Sequence, residues 1–424
     1  MSKAVKYAVN ENINLFIIND KKYKSVCSSA YLHRNLDRNE VTLNSLLSKV
    51  LKCGTSDYKS INELSAYAED LYGCSFDVAV IKRANVQSIV SSVNVVADKF
   101  TGENCEKQGI KLMLDLLFNP YITDGAFSKN FVQSQKSNLK DDIDGLINDK
   151  RSYANVRCLE EMCKGESNAI VEIGYAEDID SITESTLYTH YKSIISSSPI
   201  DIFVVGDVCD EDVLKQLKEY FEGYDFTSSS ISVECSNKST SDVRYVEDNL
   251  DVNQGKLAMG LRTGINVESP LYYPLLVGNS ILGSGAHSKL FNNVREKLSL
   301  CYYAYSRLDK YNSIMLIGSG IEFVNYEKTK NAITEEIENV QNGNFTDSEL
   351  EVAKEYIISS YKSYEDSPAM LIDYYLGNAF CNTIPELSKA CDIVSKVTKD
   401  EVLKAFENVK LDTVYFLNGK EANV

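Results

Sequence analysis

Histidine is scarce in this sequence, and the scarcity argues against the common metal-dependent hydrolase sites. Only three histidines occur in 424 residues: His33, His190 and His287. Each stands alone, with no second histidine or cysteine at the spacing of a metal ligand. A conventional zinc hydrolase holds its ion with clustered histidines and carboxylates. The sequence therefore predicts no metal ion and no cofactor on this chain.

Motifs for metal binding, secretion and membrane insertion are also missing. The 11 cysteines are scattered singly, without a Cys-x-x-Cys pair, and Cys158 and Cys163 have a poor spacing for a metal pair. In a reducing compartment such cysteines are mostly small buried hydrophobes. The N-terminus lacks the apolar core of a signal peptide, and no apolar run approaches the length of a membrane span. These absences predict a soluble, cytoplasmic protein.

Positive charge is in deficit. The chain has 44 Lys and Arg against 61 Asp and Glu, which gives a net charge of −17. A protein of this charge repels phosphate backbones and anionic lipid surfaces. The composition therefore predicts no nucleic-acid partner and no membrane partner.

The order of apolar patterns predicts mainly antiparallel sheets with segregated helices. In the first half, "NINLFIIND" and "YKSVCSSAYL" have the pattern of two strands joined as a hairpin through "NDKK". Several further elements are predicted: helices over 42–53 and from the Ser60–Glu63 capping box to Gly73, two strands within 75–98, a long helical tract over about 106–165, and a buried strand at 200–208. Segregated strands and helices of this kind are typical of an α+β fold.

The second half repeats the first. A strand at "GKLAMGLRTGI" and an apolar helix at "YYPLLVGNSILG" follow in the same order, and Thr-Asp pairs at 123 and 346 begin two similar helical stretches. A repeat of this length indicates a duplicated α/β unit rather than a solenoid. The Ser- and Thr-rich stretch between the halves resembles a linker. We predict an N-terminal α+β domain over 1–225, a linker over 226–242 and a C-terminal α+β domain over 243–424.

The helix "TLNSLLSKVLKCGT" carries a polar side opposite its leucines. Ser45, Ser48, Lys49 and Lys52 share that side, just before the turn at Gly54-Thr55. The simplest interpretation of such a side is a solvated helix surface. From the helix alone this interpretation is favoured over a functional one, because most polar helix faces are only solvated surfaces.

Two runs of sequence carry a family resemblance. The first is this helix with its Gly-Thr turn and the following "LSAYAEDLYGCSFD"; the second is "GSGAHSKLFNNVREKLSLCYYAYS" in the other half. Together they resemble the pitrilysin/insulinase-like metallopeptidases, in the branch of mitochondrial processing peptidase and its bacterial zinc-free members. The resemblance covers essentially the whole chain. It implies two duplicated α/β-roll domains of the LuxS/processing-peptidase type.

The resemblance also implies a degenerate zinc site. Active members carry His-x-x-Glu-His on the first helix, and aligning on the Gly-Thr turn places Ser45, Ser48 and Lys49 at those positions. The family's third ligand, a glutamate, corresponds to Asp142. Serine hydroxyls are poor zinc ligands at neutral pH, and an ammonium repels the ion. The chemistry of the zinc site is therefore expected to be absent here.

The second half retains what the first half lacks. Active members need an arginine and, seven residues on, a tyrosine, which are thought to hold the substrate and steady the oxyanion; Arg295 and Tyr302 have that spacing. The plainer interpretation is a surface salt bridge with Glu296 and a tyrosine in a tyrosine-rich core. Gly283 and Gly285 correspond in position to the substrate-contacting glycine-rich loop of the zinc-free processing-peptidase subunit, and His287 is interpreted as a loop histidine.

Several functions fit this pattern. The favoured one is a non-catalytic subunit that supplies Arg295 and Tyr302 in trans to a zinc-bearing paralogous subunit, with a peptide as substrate. The isolated chain would then be inactive. The alternatives are a peptide-binding or regulatory protein without a proteolytic role, including a homodimer and the elongation factor P modification associated with zinc-free relatives; a scaffold subunit like the core proteins of respiratory complex III; and an active zinc peptidase with other ligands.

Overall fold

Two compact units, each built around one sheet, make up the described chain. The structure is a computed structural model that describes residues 2–227, 230–231, 238, 242–381 and 384–420. The first unit comprises Met1–Asp144, Ile170–Val233 and Tyr364–Asn382, and the second comprises Gly145–Ala169, Glu234–Ser363 and Thr383–Val424. Within the described ranges, no helix has both the length and the apolar character needed to cross a bilayer.

The strands of the first unit are β1 Val5–Ala8, β2 Ile13–Asn19, β3 Ser25–Asn35, β4 Ser75–Arg83, β5 Val86–Val96, β6 Ile122–Thr123, β7 Ala126–Phe127 and β8 Ile200–Gly206. Those of the second unit are β9 Arg244–Leu250, β10 Gly255–Arg262, β11 Cys301–Asp309, β12 Ile314–Ile321 and β13 Lys410–Gly419.

The α-helices, in chain order, are α1 Val41–Leu51, α2 Ile61–Asp70, α3 Asp98–Thr101, α4 Cys105–Phe118, α5 Lys129–Gly145, α6 Lys150–Met162, α7 Ala176–Ile179, α8 Glu184–Ser197, α9 Asp210–Tyr220, α10 Tyr272–Gly283, α11 Tyr326–Gln341, α12 Asp347–Tyr364, α13 Pro368–Phe380, α14 Leu387–Ser395 and α15 Lys399–Phe406. A π-helix spans Leu290–Lys297.

The two sheets share one topology, which confirms the predicted duplication. The first has the order β1-β2-β8-β3-β5-β4, and the second has the order β9-β13-β10-β12-β11, which matches β2-β8-β3-β5-β4; β1 is an additional edge strand of the first sheet. In both sheets one pair is parallel, β2 with β8 and β9 with β13, and the other pairs are antiparallel. The α+β fold with mainly antiparallel sheets is therefore as predicted.

The predicted hairpin between the second and third strands is wrong. β2 pairs with β1 on one side and runs parallel to β8 on the other, with Ile13 opposite Ile200. β8 then separates β2 from β3. Both β2 and β8 consist almost entirely of buried residues, as expected of strands inside a sheet. Which strands such apolar runs pair with depends on tertiary packing. The short turn between β2 and β3 therefore does not show that these two strands are neighbours in the sheet.

The predicted helical tract over 106–165 is also wrong as one element. It is interrupted by the small hairpin of β6 and β7, whose turn residues Asp124 and Gly125 have φ values of 53° and 78°. A left-handed Asp-Gly pair is the typical two-residue hairpin turn. A second break precedes Asp149, whose side chain accepts hydrogen bonds from the backbone N–H groups of Arg151 and Ser152 and so begins α6.

Each unit is completed by a helix from the other half of the sequence. α6, from the first half, packs on β10, β12 and β13 in the second unit, where Met162 lies directly over Gly260. α13, from the second half, packs against β8 in the first unit. The predicted domain bounds 1–225 and 243–424 divide the chain by its sequence repeat, and they do not include this exchange of helices. As bounds of the repeat they remain a prediction. The predicted linker over 226–242 lies mostly outside the described residues.

The core of the first unit lies between its sheet and helices α1, α4, α5, α8 and α9. Alternate residues of the central strands, such as Ala30, Leu32 and Ile202, point into this core. Residues of the opposite face include Tyr31 and Phe203, whose rings are in edge-to-face contact at 5.8 Å between centroids. The apolar residues of α1 belong to this core and therefore fix the orientation of the helix. The candidate site lies along the polar side of α1.

Candidate functional site

Helix α1 presents its predicted polar side to a cleft in the first unit. Leu46, Leu47 and Leu51 are fully buried in the core, and this anchors the helix. Ser45 and Ser48 are buried as well, yet both line the cleft. The polar side is therefore an enclosed surface, and the interpretation as a simple solvated face is wrong for the two serines.

The cleft has a volume of about 500 Å³ and lies between α1, the edge strand β4 and helix α5. Lys49 and Lys52 extend from α1, and residues 77–80 of β4 form one wall. Gln135 and Asp142 contribute from α5. The structure thus brings all four predicted degenerate positions, which are Ser45, Ser48, Lys49 and Asp142, into one cavity.

Two ion pairs cross the cleft. The Lys49 Nζ lies 2.5 Å from Asp142 Oδ2, and the Lys52 Nζ lies 2.7 Å from Asp77 Oδ1. In both pairs the lysine side chain is more enclosed than its carboxylate partner, with 27% against 50% exposure in the first and 42% against 55% in the second. The stems of the two lysines are therefore packed against the wall of the cleft, and each ammonium group lies in contact with its carboxylate.

The donor set of this cleft does not fit zinc. The Ser48 hydroxyl donates to the Ser45 backbone carbonyl at 2.9 Å, and the Ser45 hydroxyl donates weakly to the Glu172 carbonyl at 3.4 Å. The position of the second imidazole is taken by the ammonium of Lys49, which already neutralises Asp142. Zinc requires neutral or anionic ligands, so a cation at this position opposes its binding. In the part of the chain that the structure describes, no three His, Cys, Asp or Glu side chains converge as a metal site.

The strand along the cleft is an edge. β4 pairs with β5 on one side, and no strand of the described chain pairs with its other side. An exposed edge offers backbone N–H and C=O groups that an extended peptide can pair with. Val78 and Val80 line the cleft beside this edge and add apolar surface. The arrangement therefore offers backbone groups and apolar surface of the kind that an extended peptide strand can pair with.

Arg295 and Tyr302 lie together in the second unit. The Arg295 Nε donates to the Tyr302 backbone carbonyl at 2.9 Å, and the guanidinium lies 4.6 Å from the centre of the Phe291 ring. Its Nη1 also pairs with Glu296 at 3.0 Å. The Arg295 side chain is 38% exposed and Tyr302 is 61% exposed. Tyr302 is therefore not a core tyrosine, whereas the predicted salt bridge with Glu296 is present.

The backbone around this pair is irregular at three points. Arg295 lies in the π-helix, Ser299 has a φ of 51°, and the pairing of β11 with β12 shifts between Cys301 and Tyr303. π-Helices and β-bulges are rare features that frequently occur at functional sites, where they redirect a side chain. A bulge at Tyr302 turns this residue out of the regular alternation of the strand. Motif spacing alone does not reveal these irregularities.

The predicted glycine-rich loop has a structural role at each glycine. Gly283 ends α10 so close to Ser306 that a Cβ atom on it would lie 2.4 Å from the Ser306 hydroxyl. Gly285 has a φ of 114°, which only glycine adopts readily. His287 follows, with Nε2 at 3.1 Å from the Ser280 hydroxyl, and burial lowers its pKa. These contacts account for the loop without a substrate.

One histidine of the first unit lies in an arrangement that resembles the Ser-His-Asp triad of a hydrolase. His33 lies between the Ser88 hydroxyl at 2.7 Å and Asp201 at 3.0 Å. All three are buried, so no substrate reaches the serine, and the group is a satisfied polar network in the sheet. His190 Nε2 donates to the Asn44 Oδ1 at 2.7 Å, and burial lowers the pKa of His190.

Sequence reasoning identified α1 and Asp142 but missed the other wall of the cleft. Asp77, Val78 and Val80 were recognised only as part of a strand, and Gln135 only as part of a helix. A carboxylate between apolar neighbours, as Asp77 is between Phe76 and Val78, was the available signal. Its partner, Lys52, lies 25 positions earlier on another element, so the pair is visible only in the folded chain.

Known proteins resemble this chain along its whole length. Residues 181–357 match the family described as the peptidase M16 inactive domain. The probable inactive metalloprotease YmfF of Bacillus subtilis is 31% identical over 407 residues, which cover 96% of this chain and 95% of that protein. The uncharacterized zinc protease YmxG of the same organism is 22% identical over 303 residues, covering 70% of this chain and 66% of that protein.

A solved structure shows the same fold. The crystal structure of a conserved protein from Enterococcus faecalis V583 superposes with a TM-score of 0.91 at 25% identity, covering 99% of this chain and 100% of that one. The match spans both sheets and the exchanged helices. With these relatives and the degenerate α1 motif, the chain belongs to the M16 peptidase family, the pitrilysin/insulinase-like metallopeptidases, as an inactive homologue.

Proposed function

We propose that this chain is the zinc-free subunit of a two-subunit M16 peptidase. Its partner carries the zinc, and Arg295 and Tyr302 complete the partner's site in trans. The proposal is supported by the contrast between the two halves. The first half has an ammonium where the metal ligand belongs, whereas the second half keeps the arginine and tyrosine exposed on an irregular backbone.

The observation that carries the proposal is the exposure of Arg295 and Tyr302 beside each other. The Nε and Nη1 groups of Arg295 are held by the Tyr302 carbonyl and Glu296, and the plane of the guanidinium is steadied by Phe291. A preorganised guanidinium and a phenol are suited to stabilise the negative charge of a tetrahedral intermediate. A charge-stabilising group of this kind is typically worth two to three orders of magnitude in rate, or about 3–4 kcal/mol.

The peptide substrate is proposed to lie along the free edge of β4. The resemblance places the metal ligands of catalytic family members at positions that line this cleft in the present chain. A cleft that is retained without those ligands fits a subunit that holds the substrate for a catalytic partner subunit. The similarity to a zinc protease, YmxG, indicates the class of protein from which the partner would come.

Reconstitution with a zinc-bearing M16 paralogue tests the proposal. Purified paralogue is assayed with a quenched fluorescent peptide alone, with this chain, and with its Arg295→Ala and Tyr302→Phe variants. The proposal predicts that this chain raises kcat/KM and that Arg295→Ala removes most of the increase. Arg307→Ala is the matched control, because Arg307 is an exposed arginine of the same unit and lies on strand β11 with Tyr302. Cleavage that does not respond to this chain, or that responds equally to both arginine variants, contradicts the proposal.

A second function, peptide binding without proteolysis, is favoured by one observation. The cleft and the β4 edge are both intact, and neither requires a second subunit in order to bind a peptide. In this case the chain would bind extended peptides and leave the activity of every zinc-bearing paralogue unchanged. The reconstitution assay combined with a direct binding measurement separates the two functions.

A further inference from the structure

Two tyrosine rings lie over the second sheet beneath the N-terminal end of α6. Lys256 of β10 and Tyr303 of β11 both pair with Gly320 of β12, so these residues stand in one row across the sheet. Tyr305 pairs with Gly318 in the next row. A Cβ atom on Gly320 would lie 2.4 Å from the Tyr303 ring, and one on Gly318 would lie 2.6 Å from the Tyr305 ring. The two glycines therefore leave the space over β12 that the rings occupy.

Two cations lie over these rings. The guanidinium of Arg151, in the first turn of α6, is 4.7 Å from the centre of the Tyr303 ring and 4.2 Å from that of Tyr305. The ammonium of Lys256 is 5.8 Å from the centre of the Tyr303 ring. Burial lowers the pKa of Lys256, and the positive charge of Arg151 lowers it further, against the nearby carboxylate of Asp149. Stacking on a ring orients a cation and leaves its N–H groups free to donate.

Neither cation is neutralised by contact with an acid. The chain has 61 Asp and Glu against 44 Lys and Arg, so acidic partners are plentiful. Of the carboxylates that the structure describes, none forms an ion pair with Arg151 or Lys256. The Lys256 ammonium contacts the amide oxygen of Gln254, which is a neutral acceptor. The Asp149 carboxylate accepts from the backbone N–H groups of Arg151 and Ser152 and from the Ser152 hydroxyl, at the start of α6.

The two phenol groups add hydrogen-bond donors. The Tyr305 hydroxyl accepts from Asn155 Nδ2 at 2.7 Å, which leaves its own hydrogen for another acceptor. No residue within the described ranges forms a hydrogen bond with the Tyr303 hydroxyl. Burial raises the pKa of Tyr303 to about 12, so this phenol keeps its proton at neutral pH. The cluster thus has four donor groups, two of them charged.

We propose that Arg151, Lys256 and the two tyrosines form a binding site for a single phosphate group. A phosphate monoester carries about −1.5 to −2 charges at neutral pH and has three strong acceptor oxygens, which suits two cations and two phenols. A carboxylate has one charge and two oxygens, so it would leave part of this donor set unused. A stacked guanidinium also presents the fork of N–H groups that phosphate oxygens accept in pairs. The site contains neither Arg295 nor Tyr302, so the inference goes beyond the proposed function.

The phosphate group can be the free ion or part of a small phosphate ester. Both present the same oxygens, and Arg151 is exposed, so the site is open to solvent on its side. The net charge of −17 repels a polyphosphate backbone, which restricts the ligand to a small molecule. Inorganic phosphate and O-phosphoserine are therefore the two probes, and acetate is the carboxylate comparison.

Isothermal titration calorimetry of the full chain at constant ionic strength tests the site. We expect inorganic phosphate or phosphoserine to bind with a Kd of about 1 mM or below, and acetate to bind at least about tenfold more weakly. Tighter binding of phosphoserine would identify an ester as the ligand, and tighter binding of inorganic phosphate would identify the free ion. Either result supports the site.

Variants assign the binding to the two cations. Arg151→Gln and Lys256→Gln should each weaken phosphate binding about tenfold, because each removes a charged donor. Asp149→Asn should tighten it about two- to threefold, because a negative charge is removed while asparagine still caps α6. Lys404→Gln is the matched control and should change nothing, since Lys404 is an exposed lysine of α15 in the same unit. Thermal melting shows which variants are folded, and the exposed Arg151 keeps the test decisive if Lys256→Gln is not.

Three results would overturn the inference: no saturable binding of either phosphate probe up to about 10 mM, acetate binding as tight as phosphate binding, or phosphate binding that Arg151→Gln leaves unchanged. The titration needs neither a second subunit nor a peptide. Its outcome is therefore decided independently of the reconstitution assay, and either proposal can fail while the other stands.

Discussion

Restoring the zinc ligands tests the positions assigned to the degenerate site. The variant carries Ser45→His, Ser48→Glu, Lys49→His and Asp142→Glu, which recreates the donor pattern of the catalytic members. Ser45 and Ser48 are buried but line a cleft of about 500 Å³, so the larger side chains have space to extend into it. Loss of the half-exposed pair between Lys49 and Asp142 costs at most about 1 kcal/mol.

The magnitude of the zinc effect follows from linkage. A ligand at about 1,000 times its dissociation constant stabilises the folded state by about 4 kcal/mol. For a unit of roughly 200 residues, 1 kcal/mol shifts Tm by about 2–4 °C, so saturating zinc should raise Tm by roughly 8–16 °C. The matched control carries the same changes at residues 45, 48 and 49 but has Asp142→Asn, so it lacks the third ligand, which is the anionic one. Its Tm should rise much less when zinc is added.

Differential scanning calorimetry with zinc and with chelator measures these shifts, and metal analysis gives the stoichiometry. A folded restored variant that binds no zinc would refute the assignment of Ser45, Ser48, Lys49 and Asp142. An equal shift in the wild-type chain would refute the argument that an ammonium at residue 49 excludes the ion.

Two further predictions concern the second unit, one at a buried ion pair and one at the N-terminus of α6. Arg262→Met should destabilise the chain by about 3–5 kcal/mol in urea unfolding, because the buried guanidinium binds Glu166 at 2.6 Å and Asp412 at 3.2 Å, and its removal leaves Asp412 without its ion pair and Glu166 with only the exposed Lys238 at 3.7 Å. Arg307→Met, at an exposed site, should cost less than about 1 kcal/mol. Asp149→Ala should cost about 1 kcal/mol near pH 7, and this cost should decrease as the pH falls below 3.8. The hydrogen bond from the Ser152 hydroxyl and those from the backbone lower the pKa of Asp149 below 3.8, so its contribution is complete above that pH and is lost as the pH falls through the lower folded value. Equal costs for the two arginines, or a constant cost of Asp149→Ala across that range, would contradict these assignments.

Local signals in the sequence predicted most individual elements. Helix α1 spans Val41–Leu51, close to the predicted 42–53, because its leucines repeat at the spacing of a buried face. Ser60 begins α2 and accepts a hydrogen bond from the Glu63 N–H, as the capping box predicted. The Glu63 carboxylate, however, accepts from the Lys59 N–H, one residue before the expected partner.

Pairings between distant segments were the part that the sequence did not reveal. β8 lies between β2 and β3 and pairs with residues roughly 170–190 positions earlier in the chain. No local sequence pattern in these strands indicates which strand is the neighbour. The exchange of α6 and α13 is of the same kind. α6 is a polar helix with a narrow buried side at Ala154, Cys158 and Met162, and its sequence does not show which sheet covers that side.

The candidate site shows the same division. Motif spacing brought Ser45, Ser48, Lys49 and Asp142 to attention, and the structure places them in one cavity. The π-helix and the bulge beside Tyr302 were invisible in the sequence, because both depend on small changes of backbone register rather than on residue type. The buried pair of Arg262 and Asp412 was likewise missed, since an arginine at a strand end usually lies in solvent.

The metal content of the purified chain is the most direct test of the central claim, that the ammonium of Lys49 and the two serine hydroxyls replace the zinc site. The chain is purified in the presence of zinc, passed through a desalting column and analysed by mass spectrometry for metal per polypeptide. The account predicts far less than one zinc ion per chain, with no change after Asp142→Ala. One tightly held zinc ion per chain, lost on Asp142→Ala, would contradict it.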